Sequence, residues 1–119
     1  MSETTKKEFE LFSSYVRKAQ DVLAIEYNIF LKHERLEGNK YAEIVTDTKG
    51  HVARISFNKK RVDDQLSKEM KRAAIHEVLH TCLSRLSAYA EDRNATLDDL
   101  SPAEEEIIRK LEKLLVSVI

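Results

Sequence analysis

Between Lys6 and Ile25, the residues Phe9, Phe12, Val16, Ala19 and Leu23 recur at steps of three and four, the interval at which side chains return to one face of a helix. That spacing predicts an amphipathic helix that buries one side. From Tyr27 to Lys60 the period shortens. YNIFLKHERL, YAEIVTD and HVARISFN read as three strands, and the second and third flank the turn-forming Asp47-Thr48-Lys49-Gly50, which predicts a hairpin. Alternation along the third strand sets Val52, Arg54 and Ser56 on one face and His51, Ala53, Ile55 and Phe57 on the other, so one face is mostly apolar.

Asp63 or Asp64 is suited to cap a long second helix, free of Gly and Pro, that runs through Ser67 and His76 towards Tyr89 with Ile75, Leu79, Cys82 and Leu86 as its core stripe. EDRNATLDD breaks the period and predicts a loop holding Glu91, Asp98 and Asp99. Ser101-Pro102-Ala103-Glu104 then predicts the start of a last helix, with Pro at its first position and a capping box between Ser101 and Glu104. Its expected core stripe is Ile107, Ile108, Leu111, Leu114, Leu115 and Val118. The order α-β-β-β-α-α, without an internal repeat, predicts an α+β domain built on a small antiparallel or mixed three-stranded sheet and spanning residues 1–119.

Composition narrows the function classes. The chain has 119 residues, 42% of them hydrophobic, enough for the modest core of one domain. Twenty Lys and Arg face 21 Asp and Glu, so there is no basic excess of the kind a nucleic-acid surface needs. The cluster Lys59, Lys60, Arg61, Lys68, Lys71 and Arg72 reads as solvated surface. With Cys82 the lone cysteine, no internal disulfide and no Cys-rich zinc cluster can form, and a reducing, cytoplasmic setting is expected. MSETTKKEFELF lacks the pattern of a secretory signal, and no apolar run approaches the roughly 18 residues of a membrane span. No membrane partner is expected.

The chemistry concentrates in AAIHEVLHTC, residues 73–82. His76 and His80, four apart on a helix, project from the same side one turn above each other and can reach one cation. Helical rotation sets them with Ala73 and Leu83, apart from the Ile75, Leu79, Cys82 and Leu86 stripe, so they edge the core. Zinc accepts imidazole nitrogen, and a hydrolytic site needs three protein ligands with a fourth position open to water. Glu77, beside the first histidine but turned around the helix, suits a general base better than a ligand. The plainer alternative is a chance H-E-x-x-H match with both histidines satisfied by neighbouring carboxylates.

Elimination bears on the third ligand. No histidine follows His80, and His33 and His51 lie upstream in predicted strands. A downstream carboxylate is therefore expected, giving two histidines and one glutamate. Glu104 falls within the predicted core stripe of the last helix, where an anion is expensive unless a positive partner meets it. As the third residue after Ser101 it would equally complete a capping box, in which case Glu105 is the next candidate.

ARISFNKKRV followed by a helix carrying HEVLHT resembles the zincin metallopeptidases, and among them the minimal, SprT-like and phage-encoded metallopeptidases of small size. The resemblance covers most of the chain as a pattern of strand, helix and motif. No Gly and third His follow His80, which excludes the metzincin pattern, and no later histidine can serve as in SprT-like enzymes. A gluzincin-like glutamate is the better match. The resemblance implies a zinc peptidase with one Zn2+ per chain held by His76, His80 and Glu104, Glu77 as general base, and a peptide or protein substrate added as a strand along an edge near His51 to Phe57. Mn, Co or Ni also suit such a donor set. Tyr89, Arg85 and Tyr41 are the candidates for stabilising an oxyanion, and nothing in the sequence selects among them. The alternative from another class is a zincin-fold binding or regulatory module of weak or no catalytic power, with Leu114, Leu115, Val118 and Ile119 docking a second copy or another chain. Internal packing is the expected use of those four residues.

Overall fold

The computed structural model describes residues 2–47, 51–91 and 97–119, and at 82, 85–91, 97–101, 103 and 110 the course of the backbone only. The elements follow as α1 (Lys6–Val22), β1 (Asn28–Glu34), β2 (Ala42–Asp47), β3 (Val52–Asn58), α2 (Leu66–Glu91) and α3 (Leu97–Val116). The order of helices and strands is the one that periodicity predicts, an α+β architecture.

Helix α1 starts at a reciprocal cap. The Thr5 hydroxyl accepts from the Glu8 amide at 3.1 Å and the Glu8 carboxylate accepts from the Thr5 amide at 2.8 Å, satisfying two of the donors that a helix start leaves open. The same carboxylate takes both ends of the Arg61 guanidinium, at 3.0 and 2.6 Å, and so ties the helix start to the chain leaving β3. Phe12, Val16 and Ala19 are the fully buried face, as their spacing predicts.

The sheet is mixed, with strand order β1-β3-β2. Strands β2 and β3 form the expected hairpin, Ala42 opposite Phe57 and Ile44 opposite Ile55, while β1 lies parallel to β3 with Leu31 opposite Ile55. Residues 48–50 of the predicted turn lie outside the described residues. Alternation holds along β3: Ala53, Ile55 and Phe57 are buried, and Phe57 stacks on Phe12 of α1 at 4.7 Å. Ser56, on the opposite face, is buried too, because its hydroxyl donates to Glu34 at 2.5 Å. One expectation is overturned here. His51 to Phe57 was to offer a free edge, but β3 is the middle strand and both of its sides carry ladder hydrogen bonds, so no peptide can add to it. The edges of the sheet are β1 and β2.

Asn58 closes β3 and organises the loops around it. Its side-chain Oδ1 accepts from the amides of Leu36 at 3.1 Å and Lys60 at 2.9 Å, and its side-chain Nδ2 donates to the Lys40 carbonyl at 2.9 Å. Asp63 serves the turn into α2, accepting from the Gln65 amide at 2.9 Å.

Helix α2 is buried on more than one side. Leu66, Met70, Ala73, Ala74, Ile75, Val78 and Leu79 are all core, because α1, β2 and α3 each pack against it. A single stripe therefore understates it, and Cys82 and Leu86 have side chains outside the description. Helix α3 departs further from expectation. It begins at Leu97, so Ser101 lies within the helix rather than at its cap, and Pro102 is internal. Asp98 and Asp99 belong to its first turn and Glu91 to the end of α2, not to a loop. Its core stripe is also different. Ile108 is buried and Leu115 packs against the core, as expected, and Glu112 is buried as well, whereas Ile107, Leu111 and Leu114 face outward, Leu114 at 67% exposure; just past the helix Ile119 is buried and Val118 is 66% exposed. The cause is geometric: α3 packs chiefly on α2, and one neighbour covers only one narrow face of a helix. Among the described residues no helix is long and apolar enough to cross a membrane.

Candidate metal centre

Arg72, His76 and His80 follow one another at four-residue steps along α2 and share its α3-facing side. Helix α3 runs past them in the opposite direction, so that Glu104 and Glu105 meet His80 and Glu112 meets His76 and Arg72. The two Nδ1 atoms are engaged outward. His76 Nδ1 lies 2.8 Å from a Glu112 oxygen and His80 Nδ1 lies 3.2 Å from a Glu104 oxygen. The two Nε2 atoms converge on the third carboxylate: Glu105 stands 3.5 Å from His76 Nε2 and 3.0 Å from His80 Nε2. Each imidazole is therefore flanked by carboxylate on both nitrogens.

A neutral imidazole has one N–H to give, and an ionised carboxylate can only accept. When the Nδ1–H of each histidine is donated to Glu112 or Glu104, both Nε2 lone pairs point into the space that Glu105 also faces. Lone pairs of two nitrogens and a carboxylate facing one another need either extra protons or a cation between them. The donor atoms of His76, His80 and Glu105 all lie within 4.8 Å of one another. Glu105 meets the two rings through different oxygens, Oε2 at 3.5 Å from His76 Nε2 and Oε1 at 3.0 Å from His80 Nε2, each separation near the about 3.3 Å between neighbouring donors of tetrahedral zinc, whose ligands stand about 2.0–2.1 Å away. The donor set and its spacing thus fit a zinc-like cation.

Glu104, the sequence-expected ligand, is close by but on the other side of the His80 ring, at Nδ1. The competing capping role for Glu104 lapses, because α3 starts before Ser101. Glu105, the alternative, is the carboxylate that shares the Nε2 side with both histidines.

Glu77 is buried at 8% exposure, one residue along α2 from His76. Burial, reinforced by the charges of Glu105 and Glu43, pushes its carboxyl up to about 8. A cation beside Glu105 acts in the opposite direction and favours the ionised form. The residue is therefore a carboxyl whose charge state depends on what the neighbouring cluster holds.

The other candidates serve elsewhere. The Tyr41 hydroxyl donates to the Asp63 carboxylate, its oxygens 2.8 and 2.9 Å away, and burial together with that carboxylate pushes its pKa up to about 12. The side chains of Arg85 and Tyr89 lie outside the description. His33 stacks on Phe9 at 4.9 Å and meets the Thr4 hydroxyl at 2.7 Å, and His51 stacks on Tyr27 at 5.4 Å. Of the basic cluster, Arg61 is paired with Glu8 and Arg72 with Glu69 and Glu112.

Glu112 escaped sequence reasoning. It is 4% exposed and held between Arg72 Nη1, at 3.1 Å, and His76. The available signal was its place one turn beyond Ile108 and two turns beyond Glu105, on the same face of a helix. No family model matches the chain, and comparison with curated proteins and with solved structures returns no match.

Proposed function

We propose that the protein is a zinc-dependent hydrolase, and that its reaction is peptide hydrolysis. One observation carries the reading: the donor atoms of His76, His80 and Glu105 gather within 4.8 Å of one another beside the buried carboxyl of Glu77. Zinc bound there would supply Lewis acidity for the scissile carbonyl and bring the pKa of water down towards about 7. Glu77 accepts the proton of the attacking water and returns it to the leaving amine. Its low exposure keeps the carboxyl out of bulk solvent, and a cation held beside it would favour the ionised form that a general base needs.

The peptide reading draws support from the sheet as well as from the zincin resemblance. Strand β2 is an edge strand, and the charges of Lys40 and Glu43, at its start, act on Glu77. An extended substrate adding to β2 would run past the catalytic carboxyl. The lone cysteine suits a reducing, cytoplasmic setting.

The test begins with elemental analysis of protein purified without an affinity metal column. Near-equimolar zinc, lost in His80→Ala, is expected. Hydrolysis of a quenched-fluorescent random peptide mixture should then disappear in Glu77→Gln while zinc is kept. Absence of metal from the wild type, or full activity in Glu77→Gln, refutes the proposal.

A second reading has an observation of its own. Ile107, Leu111 and Leu114 form an outward apolar stripe on α3, continued by exposed Val118 just past its end, which suits a protein-binding or regulatory module that keeps the metal without turnover. Stoichiometric zinc with no hydrolysis of the peptide mixture would favour it.

A further inference from the structure

The two histidines do not reach the shared space on their own. Each is gripped at the nitrogen that faces away from it, His76 by Glu112 at 2.8 Å and His80 by Glu104 at 3.2 Å. We propose that Glu112 and Glu104 are positioning residues, a pair of carboxylate clamps that fix both imidazoles as Nδ1–H tautomers and so aim both Nε2 lone pairs at one cation. The inference rests on the metal-site reading above and divides the α3 carboxylates by role: Glu105 is the ligand, and the other two hold the ligands.

The division follows from which atoms meet. A carboxylate on Nδ1 takes that nitrogen's proton as a hydrogen bond, which leaves Nε2 unprotonated and makes the ring a stronger donor. Rotation about the last side-chain bond would exchange ring faces and lose the Nδ1 contact, so the bond also sets the ring plane. The rings lie 5.1 Å apart at 68°, turned enough for two lone pairs to meet one point from different directions. Three groups on α3 therefore do what sequence reasoning assigned to one.

The clamps are unequal. Glu112 is nearly inaccessible and is itself fixed by Arg72, whose guanidinium reaches it at 3.1 Å and also holds Glu69 at 2.5 Å. Arg72 cancels the charge that would otherwise make burying Glu112 costly. The chain Glu69–Arg72–Glu112–His76 runs from a partly exposed residue to the metal side without leaving α2 and α3. Glu104 makes a longer bond to its histidine and has an 18% exposed side chain. The His76 clamp is the tighter.

The test is metal affinity rather than turnover. Wild type, Glu112→Gln and Glu104→Gln are titrated with Zn2+ against a chromophoric chelator, and the visible spectrum of each Co2+ form is recorded. Glu112→Gln is expected to weaken binding about tenfold to a hundredfold at unchanged one-to-one stoichiometry, with the cobalt bands shifted as the His76 ring reorients. Glu104→Gln is expected to weaken it less, towards the tenfold end of that range. A purely structural carboxylate would lower thermal stability without moving the cobalt spectrum. If Glu112→Gln fails to fold, the more exposed Glu104→Gln carries the test. Unchanged affinity and spectrum in the folded variants overturn the clamps and leave the metal site standing. No binding by the wild type overturns the site and the clamps together.

Discussion

Replacing Glu77 by Gln tests what it costs to keep a carboxyl in the wall of the cluster. In the folded protein its pKa stands at about 8 against an ordinary 4.5, with burial as the larger cause and Glu105 and Glu43 adding to it. The folded state holds this proton more tightly than the unfolded chain does. The resulting stability is fully present below the unfolded value of 4.5 and is lost as pH rises through about 8. At about 1.4 kcal/mol per unit of separation, the metal-free wild type loses about 3 kcal/mol from this group between pH 4 and pH 7, and about 5 kcal/mol by pH 9. Gln does not titrate, so the variant loses none of it. Urea unfolding of chelator-treated protein, followed by circular dichroism at several pH values, reads the difference directly. The advantage of Glu77→Gln over wild type should grow with pH by these amounts, whatever its value at pH 4. Zinc should flatten the wild-type curve, because a neighbouring cation favours the carboxylate. A stability difference that is the same at pH 5 and pH 9 in metal-free protein would refute the argument, since a carboxyl already ionised at pH 5 cannot be strongly desolvated.

Two further outcomes test the frame that carries the site. Asn58→Ala leaves the amides of Leu36 and Lys60 and the carbonyl of Lys40 without their partner, and should cost about 3 kcal/mol or more; calorimetry showing a loss under about 1 kcal/mol would mean that water replaces those bonds. Thr5→Ala removes one half of the α1 cap and should cost about 1 kcal/mol, measured by denaturant midpoint, with the Arg61 contact to Glu8 retained.

How far these features could be read in advance differed from element to element. Helix α1 and the β2–β3 hairpin were legible because each buries one face, and one buried face leaves a clean period: Phe12, Val16 and Ala19 in one case, Ala53, Ile55 and Phe57 in the other. The parallel pairing of β1 with β3 has no local signature, and that pairing is what turned a supposed edge into the middle of the sheet. Helix α3 misled in two ways. Ser101-Pro102 is a strong start signal, yet the helix already runs through it. Its apolar residues are also too many for one contact, so hydrophobicity pointed at Leu114 and Val118 while the buried positions include Glu112. On that helix the face against α2 is chosen by charge opposite the histidines as much as by apolar area. His76, Glu77 and His80 were legible because their spacing on one helix is itself the geometry. Of the partner carboxylates, Glu104 and Glu105 were named without their roles being told apart and Glu112 was missed, because those roles depend on the relative slide of two helices.

The strand order also dictates a sequence of events. The β2–β3 hairpin closes over a short loop and can form as soon as its residues exist. The partner of β1 is β3, beyond β2 in the chain, so β1 pairs over a longer separation than β2 does. The same holds for the N-terminal residues: the Thr4 amide donates to the Lys59 carbonyl at 2.8 Å, and Glu3 bridges to Lys60. Residues 3 and 4 are thus among the later ones to find their places. Because loop closure over a long separation precedes the contacts that reward it, changes in the hairpin should slow folding, while changes in β1 should mainly hasten unfolding.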